Sequence, residues 1–119
     1  MKVVLWFLMM LMPLLASASS ANEEQLFHRL DSYIAQRSKF TQRKEAKLLR
    51  LKKQLYMASD KRSQLSLYNQ IYREYYTYHY DSAMTYAKKG YQLAVQLQDD
   101  YFINLNKINR AAVLSTGGF

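Results

Sequence analysis

The sequence predicts an all-α protein built from antiparallel helix pairs. Beyond residue 21, apolar residues recur three and four positions apart, which is the spacing of one face of an α-helix. No stretch of useful length alternates apolar and polar residues as a half-buried strand does. The single proline is Pro13 and the three glycines are at positions 90, 117 and 118, so little in the sequence interrupts helices.

Residues 1–18 have the pattern of a cleavable secretory signal peptide. Lys2 precedes an apolar run from Val3 to Leu15, and a stretch of small residues follows. The run is shorter than the ~20 apolar residues of a membrane-spanning helix. We therefore expect cleavage after Ala18, with Ala21 as the second choice, and export to the periplasm or cell envelope. The alternative interpretation is a buried N-terminal helix.

Residues 19–59 are predicted to form an N-terminal helical hairpin. Its first helix covers residues 23–36, where the apolar stripe consists of Leu26, Phe27, Leu30, Tyr33 and Ile34. Its second helix covers residues 40–58, with Leu48, Leu51 and Leu55 on one seam that Leu49 and Tyr56 are expected to widen.

Three further helices are predicted over residues 61–77, 81–98 and 101–115. Ser59-Asp60, Asp81 and Asp99-Asp100 are expected to cap the starts of these helices, because a side-chain oxygen at this position accepts hydrogen bonds from unpaired backbone N–H groups. The inward-facing residues of the last helix are predicted to be Phe102, Leu105, Ile108, Ala112 and Val113.

The segment Tyr80-Asp81-Ser82-Ala83-Met84, followed by Tyr86 and Lys89, resembles the core of the tetratricopeptide repeat (TPR). Tyr68, Ile71, Tyr72 and Tyr75 fall on the pattern of the first helix of that repeat. Two positions depart from it, since Tyr72 replaces a small residue and Gly90 replaces an alanine. The resemblance implies an incomplete TPR-type α-solenoid, with a helix pair at residues 60–98 and the first helix of a second, truncated repeat at 99–119.

A wider resemblance covers nearly all of the chain after the signal peptide. The helix-pattern residues between Leu30 and Leu55, followed by Tyr72, Tyr75 and the segment from Tyr80 to Ala83, are similar to the beginning of Bacteroidota envelope-spanning TPR transcriptional regulators. Those proteins continue through a membrane helix to a cytoplasmic DNA-binding end. Because stable repeat arrays contain ~3 or more repeats, we expect an N-terminal fragment of such a regulator. Membrane attachment would then come only through the missing C-terminal part.

The residues that carry most enzyme chemistry are scarce in this sequence. It contains no cysteine and two histidines, which excludes thiol catalysis and cysteine-ligated metal centres. His79 lies near Asp81, but no nucleophile stands at a recognisable spacing from them. We therefore predict a non-enzymatic protein with no cofactor and no metal site. An envelope enzyme remains an alternative only if a missing part of the chain carries the catalytic residues.

The positive charge is concentrated in one segment. The formal net charge is +8, and ten basic residues but only two acidic ones lie between Arg37 and Arg62. Export argues against nucleic acid as the partner of this segment. A solvated helix face is one interpretation, and contact with an anionic surface through Lys44, Lys47, Lys52 and Lys53 is the other. The second would make the chain a secreted basic helical protein that binds anionic surfaces or polymers.

Tyrosines dominate the middle of the chain, and most are expected to be repeat core. Tyr76 and Tyr78 fall off the main apolar stripe and are predicted to be exposed. Together with Asn69 and Arg73 they are the candidate contacts for a protein, peptide or glycan partner. The leading hypothesis is a protein-interaction and sensing module of the bacterial envelope.

Overall fold

A computed structural model describes residues 2–117, with side chains described for residues 20–117. Four helices and no strand occur in this part of the chain, which confirms the predicted all-α class. The helices are α1 (Lys2–Met57), α2 (Lys61–Tyr76), α3 (Tyr80–Leu97) and α4 (Asp100–Thr116). The predicted signal peptide, residues 1–18, lies outside the residues whose side chains are described and stays a prediction.

The predicted N-terminal helical hairpin of residues 19–59 is wrong, because α1 continues through residues 37–39 without a turn. Neither glycine nor proline occurs between residues 14 and 89, and Ser38 costs a helix interior only ~0.5 kcal/mol relative to alanine. Nothing in the local sequence is therefore strong enough to end the helix there. The chain nevertheless divides into two compact units, residues 1–41 and residues 42–119.

In the first unit, every described side chain from Ser20 to Phe40 is exposed. The predicted apolar stripe is present on this helix, yet its large side chains are between 52% and 64% exposed. The stripe is thus not part of a core within these residues.

Aspartate side chains begin two of the three following helices, as predicted. Asp60 accepts hydrogen bonds from the backbone nitrogens of Arg62 and Ser63, and Asp99 accepts one from that of Phe102 at 3.1 Å. The prediction for Asp81 is wrong, since the N-cap of α3 is His79 and its side chain makes no capping hydrogen bond. The carboxylate of Asp81 lies in the first turn of α3, where it complements the positive end of the helix dipole.

The core of the second unit is formed by residues from all four helices. Ala83 and Ala87 of α3 are fully buried, and their small side chains let the neighbouring helices approach closely, as the TPR resemblance implied. The main cluster consists of Leu48, Leu51, Leu67, Ile71, Tyr72, Tyr75, Ala83, Ala87 and Val113. A second cluster consists of Leu65, Leu93 and Ala94.

Three residues predicted to face the core are exposed instead. Leu49 is 57% exposed, Tyr56 91% and Ile108 65%. In α4 the buried positions are Asn106, Asn109 and Val113, which are spaced by three and four and define a stripe beside the expected one. Two asparagines therefore occupy places for which the apolar pattern favours isoleucine or leucine.

Helices α2 and α4 are joined by hydrogen bonds that account for the unusual Tyr72. Its hydroxyl donates to the backbone oxygen of Asn109 at 3.1 Å, and its ring is buried. The Nδ2 atom of Asn109 also donates to Oδ1 of Asn69 at 3.4 Å. A large, hydrogen-bonding side chain thus connects α2 to α4 where the repeat pattern has a small residue.

Candidate interaction surface

A polar groove between the C-terminal part of α1 and α2 brings several charged side chains together. Its volume is about 590 Å³. Leu51 lies at its base, where it is almost completely buried. The groove is lined by Lys44, Lys47, Leu51, Gln70, Arg73, Glu74 and Thr77.

Glu74 organises the charges of this groove. Its Oε2 atom is 2.9 Å from Nζ of Lys44 and its Oε1 atom is 2.6 Å from Nζ of Lys47, so each carboxylate oxygen has its own ammonium partner. The hydrogen bond from Lys47, and then the one from Lys44, hold the pKa of the Glu74 carboxyl below its usual value. The carboxylate is therefore charged at neutral pH and fixes both lysines in place.

The charges of the groove remain unbalanced in favour of cations. Lys44, Lys47 and Arg73 contribute three positive groups against the single carboxylate of Glu74. The side chain of Lys44 is 17% exposed, whereas that of Lys47 is 50% exposed. Arg73 is also exposed. A ligand entering from solvent would meet Lys47 and Arg73 first.

The four lysines predicted to contact anionic surfaces do not lie together. Lys44 and Lys47 share the groove, whereas Nζ of Lys52 donates to the hydroxyl of Tyr75 at 2.6 Å and lies 5.1 Å from the centroid of that ring. The hydrogen bond from Lys52 to Tyr75 raises the pKa of the lysine. Lys53 lines a separate, shallow apolar depression formed with Leu49, Lys52, Tyr56 and Met57.

Of the four predicted partner contacts, Arg73 lines the groove and the other three bind neighbouring side chains. Asn69 accepts the hydrogen bond from Asn109 described above. Tyr76 is half-buried, with its ring centroid 5.8 Å from that of Tyr72 and 6.2 Å from that of Tyr80.

The hydroxyl of Tyr78 donates to Oε1 of Glu45 at 2.9 Å, and this bond raises the pKa of the tyrosine. Tyr78 is half-buried rather than exposed, as is Tyr76. Both side chains consequently make contacts within the second unit, Tyr76 between α2 and α3 and Tyr78 between the α2–α3 turn and α1.

Sequence reasoning missed Glu74, Gln70 and Thr77 as members of the groove. Lys44 and Glu74 are 30 positions apart, and no local pattern connects them. The available signal was Glu74 itself, one of few carboxylates in a chain with a large excess of cations. An isolated acidic residue in such a chain is a candidate for pairing with the basic segment.

The described residues contain neither a metal-binding cluster nor a membrane-spanning helix. Within them, no group of three or more histidine, cysteine, aspartate and glutamate side chains is arranged to hold a metal ion. No helix of that part of the chain has the length and apolar character needed to cross a bilayer.

Residues 34–119 match the SusR N-terminal TPR domain, a segment that contains the whole groove together with α2, α3 and α4. The chain belongs to this family. Membership confirms the resemblance to TPR proteins of the Bacteroidota regulator type. No curated protein matches the chain, and no solved structure does so either.

Members of TPR families are helical solenoids that generally mediate protein–protein interactions and are typically non-catalytic. Membership in the SusR family therefore makes this chain a protein-interaction module.

Proposed function

We propose that this chain is a sensing module of the bacterial envelope and that its groove between α1 and α2 binds an acidic segment of a partner protein. The observation that supports this proposal is the cluster of Lys44, Lys47 and Arg73 around the single carboxylate of Glu74. Three cations against one anion leave an excess positive charge inside a concave site, where a ligand carboxylate is partly shielded from water.

Each groove residue has a distinct role in this proposal. The guanidinium of Arg73 can hold a carboxylate through two parallel hydrogen bonds, and the half-exposed ammonium of Lys47 adds a second positive contact. Glu74 keeps both lysines oriented and reduces the attraction for anions that lack a matching shape. Leu51 closes the base of the groove and belongs to the core.

The proposal also includes a location in the cell envelope and membership in a longer regulator. They are supported by the signal-peptide pattern of residues 1–18 and by the family, which suggests an association with the envelope. Alkaline phosphatase fused after Ser20 should be active in a bacterial host if these residues direct export. Reading the coding sequence past Phe119 tests whether further repeats, a membrane helix and a DNA-binding part follow.

Fluorescence anisotropy with a labelled peptide rich in glutamate and aspartate tests the groove, with a glutamine and asparagine peptide of equal length as the comparison. The acidic peptide should bind more tightly, and Arg73→Glu combined with Lys47→Glu should weaken its binding at least ~10-fold, since two favourable contacts become repulsive. Lys88→Glu together with Lys107→Glu is the matched control, because it changes the net charge equally through exposed residues outside the groove. Equal losses in both double variants would refute a specific groove.

A second candidate function is binding to an anionic surface or polymer. It is favoured by exposed cations of α1 outside the groove, among them Arg43, Arg50 and Lys53. Replacing these three by glutamine should reduce binding to phosphatidylglycerol vesicles while leaving the acidic peptide bound. Vesicle binding that is unchanged in this triple variant would contradict the second candidate.

A further inference from the structure

The helix of residues 23–37 carries an apolar stripe that is exposed along its whole length. Five large side chains lie on it, with exposed fractions of 64% for Leu26, 62% for Phe27, 52% for Leu30, 63% for Tyr33 and 56% for Ile34. A contiguous apolar face of this size on a soluble helix marks an interaction surface. The question is which molecule covers it.

The pattern of this stripe is symmetric about Leu30. Leu26 and Ile34 lie four positions before and after it, and Phe27 and Tyr33 lie three positions before and after it. Glu23 lies seven positions, or about two helical turns, before Leu30, and Arg37 lies seven positions after it. The apolar spacing therefore reads the same in both directions, while the charge is opposite at the two ends.

We propose that this segment pairs with the same segment of a second copy of the chain, in antiparallel orientation, on a two-fold axis that passes Leu30. Such an axis places each residue opposite the one at the mirrored distance from Leu30. Leu26 then lies opposite Ile34 of the other copy, and Phe27 opposite Tyr33. The apolar stripe of one copy covers that of its equivalent.

Charge complementarity selects the antiparallel orientation. At 100° per residue, Glu23 and Arg37 both lie within about 20° of the line through Leu30, so they face the other helix. Antiparallel pairing forms two Glu23–Arg37 ion pairs at the ends of the contact. Parallel pairing would place Glu23 against Glu23 and Arg37 against Arg37. Arg29 and Asp31 lie about 100° from the contact line, where water screens them.

The contact is short, which sets its expected strength. Fourteen intervals at 1.5 Å per residue give a paired length of about 21 Å. An interface of this kind falls near the lower end of specific interfaces, ~1,200 Å² in total, and we expect a dissociation constant in the micromolar range. Cleavage of a signal peptide after Ala18 or Ala21 would leave the paired segment intact.

Sedimentation velocity of the full chain, purified from a host that exports it, tests the proposal over a range of concentrations. The chain should dimerise, and Leu30→Glu should make it monomeric, because it brings two carboxylates together on the axis. Arg37→Glu alone and Glu23→Arg alone should each weaken the dimer about tenfold, which corresponds to ~1.4 kcal/mol. The double variant that exchanges the two charges should restore it. Lys39→Glu, on the opposite side of the helix from Leu30, is the matched control and should change nothing.

Orientation is tested by cross-linking, which is simple because the chain has no cysteine. A mixture of Phe27→Cys and Tyr33→Cys chains should form disulfide-linked dimers faster than either variant alone. Self-linking of each variant without acceleration in the mixture would indicate parallel pairing and overturn the proposal. A chain that stays monomeric at ~100 µM would do the same. Neither result bears on the groove, whose residues belong to the other unit.

Discussion

Gly90 of α3 lies directly against the side chain of Asn106 in α4, so closely that a Cβ atom on Gly90 would be 2.7 Å from Oδ1 of the asparagine. Asn106 is 1% exposed, and its Nδ2 atom donates to the backbone oxygen of Phe102 at 2.8 Å. The amide group therefore has little space into which it can move. This contact explains why glycine occupies a position at which the TPR pattern has alanine.

Replacing Gly90 by alanine should lower the free energy of unfolding by about 1 kcal/mol. Alanine gains roughly 1 kcal/mol in helix propensity, but forcing the buried amide aside costs about 1–3 kcal/mol. Urea denaturation followed by circular dichroism measures the difference. Gln96→Ala, an exposed substitution on the same helix, should be close to neutral.

A double-mutant cycle isolates the contact between the two residues. Asn106→Ala alone should also destabilise the chain, because it leaves a cavity. The double variant Gly90→Ala/Asn106→Ala should lose less free energy of unfolding than the two single variants together, by at least ~0.5 kcal/mol. Strictly additive losses would show that the steric contact does not affect the free energy of unfolding.

Gln98 is a site where glycine should stabilise the protein. It ends α3 with φ 52° and ψ 38°, the left-handed conformation that costs a residue with a side chain ~1–2 kcal/mol. Gln98→Gly should raise the free energy of unfolding by ~0.5–1 kcal/mol after the greater unfolded-state entropy of glycine is subtracted. Gln96→Gly, inside the same helix, should lower it by ~1 kcal/mol. A loss of stability in both variants would contradict the assigned helix end.

Tyr72 should not tolerate the small residue that the repeat pattern favours at its position. Tyr72→Ala removes a buried ring and its hydrogen bond to Asn109, and we expect a loss of about 3–5 kcal/mol. Tyr72→Phe removes only the hydroxyl and should cost ~1 kcal/mol. Thermal denaturation distinguishes these losses, and an alanine variant as stable as the wild type would rule out the structural role of the ring.

The ion pairs of Glu74 predict a pH dependence of stability. The folded-state pKa of Glu74 is lowered by Lys47 and Lys44, so its contribution is present above the unfolded-state value near 4.5 and is lost as the pH falls through the folded-state value. Below pH ~5 the free energy of unfolding of the wild type should therefore fall more steeply than that of Glu74→Gln. The difference should reach at most ~1 kcal/mol, because the ion pairs are partly solvated. Denaturation curves between pH 3 and 7 measure this, with Asp100→Asn as the matched control. Parallel curves for wild type and Glu74→Gln would exclude the contribution.

Local sequence signals predicted several features correctly. The caps at Asp60 and Asp99 were predictable because a carboxylate can satisfy backbone donors within its own turn. Ala83 was predictable as a buried residue because the repeat pattern has a small side chain there. Arg73 lies in the groove, and its contact with a partner stays a prediction.

Other features depend on contacts between distant parts of the chain. Tyr76 and Tyr78 were predicted to be exposed. The partner of Tyr78 is Glu45, 33 positions away, and no local pattern specifies it. Tyr76 instead contacts Tyr72 and Tyr80, each four positions away. Ile108 was predicted to face inward because it is apolar. The orientation of α4, fixed by the packing of Val113 and the fit of Asn106 against Gly90, turned it to solvent.

The sequence by itself determined the all-α class, the positions of α2, α3 and α4 within a few residues, and the concentration of positive charge before residue 62. These properties follow from periodicity, capping and composition, which act over a few neighbouring residues. Only the tertiary structure decided that Glu74 pairs with both Lys44 and Lys47, and that two asparagines replace apolar residues in the face of α4. The reason is physical: helix rotation and ion-pair choice are set by packing between residues far apart in the sequence, 16 positions for Gly90 and Asn106 and 30 for Lys44 and Glu74, and such distances leave no periodic trace.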